Sequence, residues 1–172
     1  LGGSQAAKIF AEKLPDIFRA CKKNKISIKI FQQCLPEQVE KLKKDYASSN
    51  IESEIFSFKY NLVDYFSKID VAITRSGSSM LAELLNCNIP IISIPLKSAA
   101  DNHQLKNAKY FEKNGYGVVI EEDYITKDLF TLIKAIHEDK DILNKIKINQ
   151  KNYSDKEVFK KIESHIFKLL ND

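Results

Sequence analysis

The chain of 172 residues is long enough for one domain with a hydrophobic core, and its 44% apolar and 29% charged residues are an ordinary globular composition. No stretch approaches the roughly 18 consecutive apolar residues of a membrane span, and no basic start before a short apolar run indicates a signal peptide. We therefore expect a cytoplasmic location. The net charge of +4 comes mainly from lysines spread along predicted helices rather than from clustered basic and aromatic residues, so we expect no nucleic-acid binding.

Apolar, β-branched runs alternate with amphipathic segments along the chain. This alternation predicts an α/β fold, a Rossmann-like parallel sheet flanked by helices. Strands are predicted at 26–31, 51–58, 70–75, 88–95 and 115–122. Helices are predicted at 9–20, with a kink or restart at Pro15, at 36–47, 61–68, 78–87, 101–114 and 126–138, and twice more within 139–170.

The first helix follows two glycines and a serine in the segment GGSQAAKIF (2–10). Such a start directs free backbone N–H groups and the positive end of the helix dipole towards an anion. Ser4 would cap the helix or donate its hydroxyl to a phosphate, and an ordinary capped helix start explains the pattern equally well. A doubly wound sheet has a strand before such a loop, and we expect that strand upstream of Leu1.

The segment TRSGSS (74–79) repeats this arrangement after the strand at 70–75. Gly77 turns the chain, and Ser78 and Ser79 open a helix whose first N–H groups lack intrahelical acceptors. Two helix N-termini at one crevice, beside the carboxyl ends of parallel strands, would hold a diphosphate.

Two charged residues flank this turn. Arg75, at the strand end, could reach a phosphate, and a structural ion pair with Asp70 or Glu83 is almost as good an explanation. Glu83 lies about one turn into the following helix, where its carboxylate could accept hydrogen bonds from both hydroxyls of a ribose. The alternative for Glu83 is an ordinary, half-exposed helix residue.

The segment DNHQLKN (101–107) begins another helix, with Asp101 as its predicted N-cap. His103, Gln104 and Asn107 lie on its first turns, and such side chains both donate to and accept from sugar hydroxyls and N-acetyl groups. Taken singly, they would be solvated polar residues. No second His or Cys stands at ligand spacing, so we predict no metal site, and no Ser–His–Asp arrangement is indicated.

The three cysteines also indicate neither a metal site nor a disulfide framework. Cys21, Cys34 and Cys87 are an odd number, and none lies within four residues of another. We therefore expect small core side chains in a reducing compartment.

Three segments, in this order and spacing, resemble the C-terminal, donor-binding domain of the MurG family. These glycosyltransferases of GT-B fold add N-acetylglucosamine (GlcNAc) to lipid I in peptidoglycan synthesis. The resemblance covers nearly the whole chain, with Ala6 in place of the glycine of GGSQGA and Ser78 in place of a common alanine. The segments are GGSQAA, FKYNLVDYFSKIDVAITRSGSSMLAELL and IPIISIPLKSAADNHQLKNAKYFEKNGYG.

The resemblance implies that residues 1–172 are the C-terminal UDP-GlcNAc-binding domain, without its first strand and without the N-terminal acceptor domain. It implies that Gly2, Gly3 and Ser4 contact the diphosphate. Backbone groups around Lys59 would contact the uracil, with Arg75 near the nucleotide and Glu83 on the ribose hydroxyls. The residues that would meet the GlcNAc or its phosphates are Gly77, Ser78, Ser79, His103, Gln104 and Asn107.

The resemblance implies an inverting enzyme that needs no cofactor or metal ion, with its catalytic residues and acceptor site in the N-terminal domain. Lipid I and the inner membrane surface would be partners through that domain, which would make the protein cytoplasmic and peripheral on the inner face of the cell membrane. Residues 1–172 alone would bind the donor without completing catalysis.

Three other functions stay open at this point. The first is a stand-alone UDP-GlcNAc-binding subunit of another GlcNAc transferase, like the donor subunit of the eukaryotic endoplasmic-reticulum enzyme. The second is a non-catalytic UDP-sugar-binding module. The third is a structural or nucleic-acid-binding module.

Overall fold

The apolar runs of the sequence form five short parallel strands in the computed structural model, which describes residues 4–153 and 155–171. β-branched residues supply two of the three positions in each of the three-residue strands, as a pleated surface favours. The strands are β1 (Lys29–Gln33), β2 (Glu52–Phe56), β3 (Ala72–Thr74), β4 (Ile91–Ser93) and β5 (Gly117–Val119).

Helices connect these strands and follow the last of them. The α-helices are α1 (Ser4–Lys23), α2 (Val39–Ser48), α3 (Val63–Phe66), α4 (Ser78–Asn86), α5 (His103–Lys113), α6 (Ile125–Glu138), α7 (Asp141–Lys151) and α8 (Asp155–Asn171). Short 3-10 turns at Pro36–Gln38, Ala100–Asn102 and Glu122–Tyr124 lead into α2, α5 and α6.

The predicted α/β class is confirmed, and the differences lie at element ends. Each predicted strand overlaps an observed one, although β3, β4 and β5 keep only three paired residues each. α1 begins earlier than predicted and continues through Pro15 as one helix, so the predicted restart is wrong. Pro15 is buried in the apolar face of α1, where packing of that face outweighs the hydrogen bond that proline removes.

Two parallel ladders order the strands. β1 pairs with β2, with Lys29 opposite Glu52. β3 pairs with β4 and β4 with β5, with Ala72 opposite Ile91 and Ile91 opposite Gly117. Within residues 4–153 and 155–171, no ladder joins β1 to β3. The strands therefore form one two-stranded and one three-stranded sheet.

Successive residues of a strand point to opposite faces, and the hydrophobic core is divided accordingly. Ala72 and Ile91 belong to a cluster with Leu81 and Leu84 of α4, whereas the next residue of β4, Ile92, belongs to a larger cluster. The larger cluster includes residues of α1, α2 and α6: Phe10, Leu14, Ile17, Phe18, Leu42, Tyr46, Ile125, Leu129 and Ile136. Helices therefore cover both faces of the parallel strands.

One glycine is required where α5 returns to the sheet. Gly115 has φ +70, and a Cβ there would lie 2.3 Å from the Asn149 side-chain nitrogen. Both the backbone conformation and the space therefore favour glycine at this turn.

Two of the three cysteines are core residues, as predicted. Cys21 and Cys34 are buried, and burial raises the pKa of both thiols. Cys87 is exposed, so the core prediction is wrong there. It is the C-cap residue of α4, just after the last helical residue.

Within residues 4–153 and 155–171, no helix is long and apolar enough to cross a membrane.

Candidate functional site

The carboxyl ends of β3, β4 and β5 meet at one edge, because their last residues are paired. Thr74 lies opposite Ser93, and Ser93 lies opposite Val119. The loops that follow the three strands therefore start side by side, as expected for the ligand-binding edge of an open α/β sheet. Just beyond β3, the Ser76 and Ser93 hydroxyls are 2.7 Å apart and buried.

Two side chains of α5 hold the backbone of Ser76. The Gln104 Oε1 atom accepts hydrogen bonds from the Ser76 N–H at 3.2 Å and the Leu96 N–H at 3.0 Å. The Asn107 Nδ2 atom donates to the Ser76 carbonyl oxygen at 3.0 Å. We call this arrangement the Ser76 clamp. It brings the predicted segments 74–79 and 101–107 into contact and fixes the turn from which α4 begins.

The N-terminus of α4 faces open space. Gly77 is its N-cap residue, with φ −67 and ψ 133, and nothing lies within 4 Å of a Cβ built there. The first intrahelical bond runs from the Leu81 N–H to the Gly77 carbonyl, so the N–H groups before it lack acceptors within the helix. Ser78 and Ser79 are exposed beside them. Neither a positive φ nor close packing within the chain requires glycine at position 77. The empty space beside Gly77 can therefore receive a ligand.

Arg75 is buried and ties three strand ends together. Its Nη1 atom donates to Glu122 Oε2 at 2.6 Å, to the Ile94 carbonyl at 3.3 Å and to the Pro95 carbonyl at 3.2 Å. Its guanidinium carbon lies 5.5 Å from the centre of the Phe10 ring in α1. The structural ion pair considered from the sequence is present, but its partner is Glu122 rather than Asp70 or Glu83.

Glu83 and Lys59 are both exposed, and they differ in what they contact. Glu83 lies on α4, beyond the turn at Gly77, with its side chain in solvent. The Lys59 ammonium lies 3.2 Å from Glu54 and near the rings of Phe56 and Tyr65. Hydrogen bonds from Tyr65, which has the larger effect, and from Lys59 lower the pKa of the Glu54 carboxyl. The contacts of the Lys59 side chain thus lie at the carboxyl end of β2 and on α3.

The start of α5 differs from its predicted form. Asp101 and Asn102 have φ of 49 and 52, and the α-helix begins at His103, so the prediction of Asp101 as N-cap is wrong. Asn and Asp tolerate this left-handed conformation better than most residues. The His103 Nδ1 atom lies 2.8 Å from the Ala100 carbonyl oxygen and bridges the turn.

The other predicted phosphate contact is at the start of α1. Gly2 and Gly3 lie outside the described residues, and Ser4 is the first residue of α1. Because Phe10 contacts Arg75, the first turns of α1 lie at the same carboxyl edge as the end of β3.

Sequence reasoning missed three residues of this edge. Ser76 and Ser93 lie inside the segments it considered, and Glu122 follows β5. Their position identifies them, because Ser93 is the last residue of a parallel strand, and Ser76 and Glu122 lie two and three residues after one. The carboxyl ends of parallel strands share one edge of the sheet. Among residues 4–153 and 155–171, no three His, Cys, Asp or Glu side chains are grouped as metal ligands would be.

Parallel strands covered by helices, with their carboxyl ends converging on an open helix N-terminus, define a Rossmann-like α/β domain of the kind that binds ligands at this edge. The glycosyltransferase family 28 C-terminal domain matches residues 1–166, and the chain belongs to this family.

Two relatives support that membership, and one solved structure shows the same fold. The relatives are the UDP-N-acetylglucosamine–N-acetylmuramyl-(pentapeptide) pyrophosphoryl-undecaprenol N-acetylglucosamine transferases of Pelagibacter ubique and Francisella philomiragia. They are 35% and 33% identical over 100% and 99% of this chain. The chain spans 48% and 47% of their lengths, about half of each. The crystal structure of Acinetobacter baumannii MurG has the same fold, with a TM-score of 0.77 at 24% identity over 90% of this chain and 44% of that one.

Proposed function

We propose that this chain binds UDP-GlcNAc as the donor half of an inverting glycosyltransferase that transfers GlcNAc to lipid I in peptidoglycan synthesis. Family membership and the activity stated in the names of its relatives support the reaction. The observation that carries the role of this half is the Ser76 clamp, which holds the open N-terminus of α4 at the carboxyl edge of the sheet.

The open N-terminus of α4 suits a diphosphate. The backbone N–H groups and the hydroxyls of Ser78 and Ser79 can donate hydrogen bonds to a diphosphate. The turn does not have to rearrange for this, because the clamp already holds it in place. In transfer, an acceptor hydroxyl oxygen forms a bond to the anomeric carbon while the bond from that carbon to the diphosphate oxygen breaks, and the hydroxyl proton passes to a general base of the N-terminal domain. The leaving UDP gains negative charge, and preorganised donors stabilise it.

The remaining site residues supply selectivity in this proposal. Glu83 accepts hydrogen bonds from the ribose hydroxyls, and backbone groups around Lys59 bind the uracil edge. Gln104, Asn107 and His103 bind the sugar or its phosphates. Gly3 and Ser4 lie at a second helix start, which also binds the diphosphate. Arg75 stabilises the nucleotide site through its hydrogen bonds to the backbone after β4.

The proposal for the whole protein is that an N-terminal domain supplies the acceptor site and the catalytic groups. Lipid I would bind there, at the inner surface of the cell membrane. The half described here would then bind donor and remain inactive by itself, because the rate enhancement depends on holding donor and acceptor together.

Calorimetry with UDP, ADP and GDP tests the proposed function. We expect UDP to bind about tenfold or more tightly than ADP or GDP, since a site that hydrogen-bonds the uracil edge leaves unpaired groups with a purine. Equal affinities for the three diphosphates would contradict a uridine-specific donor site.

Replacing Glu83 by alanine is expected to weaken UDP binding by roughly ten- to a hundredfold, corresponding to about 1.5–3 kcal/mol for hydrogen bonds to a charged group. Because Glu83 is exposed, the free energy of unfolding should change little. Titration and thermal melting measure the two effects. The matched control is Glu163→Ala, which removes the same charge from the exposed surface of α8 and should leave UDP affinity unchanged. A lower melting temperature with unchanged affinity would assign Glu83 to packing.

Replacing Gly77 by alanine is expected to leave the fold intact and weaken UDP binding by about tenfold. The backbone of Gly77 suits alanine and the space around its Cβ is empty, so stability should hold or rise by about 0.4–1 kcal/mol. The new methyl group would occupy the space proposed for the diphosphate. Asn86→Ala, at the opposite end of α4, is the control. Unchanged UDP affinity in Gly77→Ala would place the diphosphate elsewhere.

A further inference from the structure

The loop after β2, residues 57–61, has only exposed side chains. Phe58 and Tyr60 are 64% and 94% exposed, and their rings meet edge-on with centres 5.0 Å apart. A loop with few buried contacts opens at a low free energy. The conformation of this loop therefore depends on the side chains outside it that contact it.

Side chains outside the loop contact it at its start and in its middle. The Gln33 Nε2 atom donates a hydrogen bond to the Ser57 carbonyl oxygen at 3.2 Å. The Lys59 ammonium lies 3.2 Å from the Glu54 carboxylate and 5.7 Å from the centre of the Tyr65 ring. Because Lys59 is the central residue of the loop, its side chain links the middle of the loop to β2 and α3.

Tyr65 of α3 packs against the face of the β1–β2 sheet that carries Glu54. Glu54 and Phe56 are two residues apart on β2 and therefore point to the same face, and Phe31 of β1 lies opposite Glu54. The Tyr65 ring stacks on the Phe56 ring, with centres 5.5 Å apart, and meets the Phe31 ring edge-on at 5.1 Å. Strand residues, rather than the loop, thus fix the position of Tyr65.

The hydroxyl of Tyr65 connects this aromatic contact to the charged groups. It donates a hydrogen bond to Glu54 Oε1, the same oxygen that the Lys59 ammonium contacts. Hydrogen bonds with Tyr65, which has the larger effect, and with Glu54 raise the pKa of the Lys59 amine. The position of the ammonium over the Tyr65 ring adds a cation–π attraction. We call Glu54, Lys59 and Tyr65 the Tyr65 anchor.

The Tyr65 anchor can control the loop without contributing much to overall stability. The side chains of Lys59 and Glu54 are 40% and 46% exposed, and exposed ion pairs add little to the free energy of unfolding. The affinity for a ligand is more sensitive, because it falls in proportion to the fraction of molecules whose loop has the conformation that binds.

We propose that Tyr65 is a positioning residue for base recognition, which holds the Lys59 side chain and so keeps the backbone of residues 57–61 in the conformation that binds uracil. This inference rests on the proposed function, in which backbone groups around Lys59 bind the uracil edge. Tyr65 acts through Lys59 and does not touch the base. Its loss should therefore reduce the preference for uracil while the diphosphate still binds at the N-terminus of α4.

Calorimetry with UDP and ADP tests the inference, because the two ligands share the ribose and the diphosphate and differ in the base. Tyr65→Leu removes the ring and the hydroxyl. We expect it to weaken UDP binding by about three- to tenfold, the value of a cation–π contact and a hydrogen bond. ADP binding should weaken by no more than about twofold, so the ratio of the two affinities should fall. Tyr65→Phe keeps the ring beneath Lys59 and should recover part of that ratio.

Glu54→Gln tests the same anchor without changing the packed rings. It should lower the ratio of UDP to ADP affinity by about two- to fivefold, as expected for a weakened exposed ion pair. In hydrogen–deuterium exchange without ligand, the amides of 57–61 should exchange faster in Glu54→Gln and in Tyr65→Leu. The matched control is Glu52→Gln, which breaks the exposed pair with Lys29 at the start of the same strand. It should change neither affinity nor the exchange of the loop.

Tyr110→Leu is the control for the loss of a tyrosine ring, since Tyr110 is 56% exposed on α5 and its ring contacts Phe111. It should leave the ratio of the two affinities unchanged. Thermal melting shows whether each variant folds. If Tyr65→Leu does not fold, Glu54→Gln and Tyr65→Phe decide the question.

An unchanged ratio of UDP to ADP affinity in folded Tyr65→Leu would overturn the inference. Equal losses for the two ligands would also overturn it, because the role of Tyr65 would then be structural alone. An unchanged ratio with unchanged exchange of 57–61 in Glu54→Gln would do the same. Equal affinities of the unaltered chain for UDP and ADP would contradict the proposed function and this inference with it. The two failures are distinguishable, because the first three appear only in the variants.

Discussion

Replacing Arg75 by alanine is expected to lower the free energy of unfolding by about 3–5 kcal/mol, as breaking a buried ion pair commonly does. The Arg75 side chain is 8% exposed and that of Glu122 is 22% exposed. The variant would leave this carboxylate largely desolvated and would remove donors from the Ile94 and Pro95 carbonyls. It would also remove the cation from the Phe10 ring and loosen α1 from the strand ends. Urea denaturation measures the loss.

An exposed ion pair at the same sheet edge is the control. Lys97 and Asp123 join the loops after β4 and β5 at 2.6 Å, but both side chains are mostly in solvent. Lys97→Ala should therefore leave the denaturation midpoint nearly unchanged, since exposed pairs contribute little. If Arg75→Ala unfolds like the unchanged chain while UDP affinity collapses, Arg75 is a ligand contact and not a link between strand ends.

The sequence predicts the fold well because its signals are local. Apolar periodicity locates each strand and helix, and glycine and serine before amphipathic runs identify the helix starts that face the edge. The Leu81, Leu84 and Leu85 spacing gives the buried face of α4, and those three residues are buried. The predicted strand lengths are wrong where pairing with a neighbouring strand decides the length. The strand predicted at 88–95, for example, is paired only over Ile91–Ser93.

Partners across the sheet are not fixed by local spacing. Arg75 has acidic residues nearby in sequence, yet its carboxylate comes from Glu122, 47 residues away. The pairing depends on β4 lying between β3 and β5, and periodicity does not determine strand order. The sequence also does not show that the side-chain oxygen of Gln104 accepts hydrogen bonds from backbone N–H groups. A polar residue at a helix start looks the same whether it binds a ligand or a loop.

That second role for Gln104 changes what its removal should do. With sugar binding alone, Gln104→Ala would weaken UDP-GlcNAc and spare UDP. In the structure the Oε1 atom accepts from both the Ser76 and Leu96 N–H groups. Leaving a part-buried donor without an acceptor costs about 1–3 kcal/mol. The turn that orients the N-terminus of α4 would lose its support, and the diphosphate site would lose its preorganisation.

We therefore expect Gln104→Ala to lower the free energy of unfolding by about 1–3 kcal/mol and to weaken UDP and UDP-GlcNAc by about tenfold or more each. If the Nε2 amide also binds the hexose, UDP-GlcNAc should lose a further factor of roughly two to tenfold, the value of a neutral hydrogen bond. Parallel titrations and melting curves measure these effects. Lys106→Ala, exposed on the same helix, is the control and should change neither.

The variant Gln104→Glu separates the two roles. A carboxylate keeps an acceptor for the Ser76 and Leu96 N–H groups but has no amide donor, so stability should recover relative to Gln104→Ala. Its negative charge acts on both ligands through their shared diphosphate, and the ratio of the two affinities therefore reports mainly the lost donor. A lower ratio for UDP-GlcNAc over UDP would assign Nε2 to the hexose. An unchanged ratio in both variants would refute a hexose contact, and unchanged UDP affinity and stability in Gln104→Ala would refute the clamp.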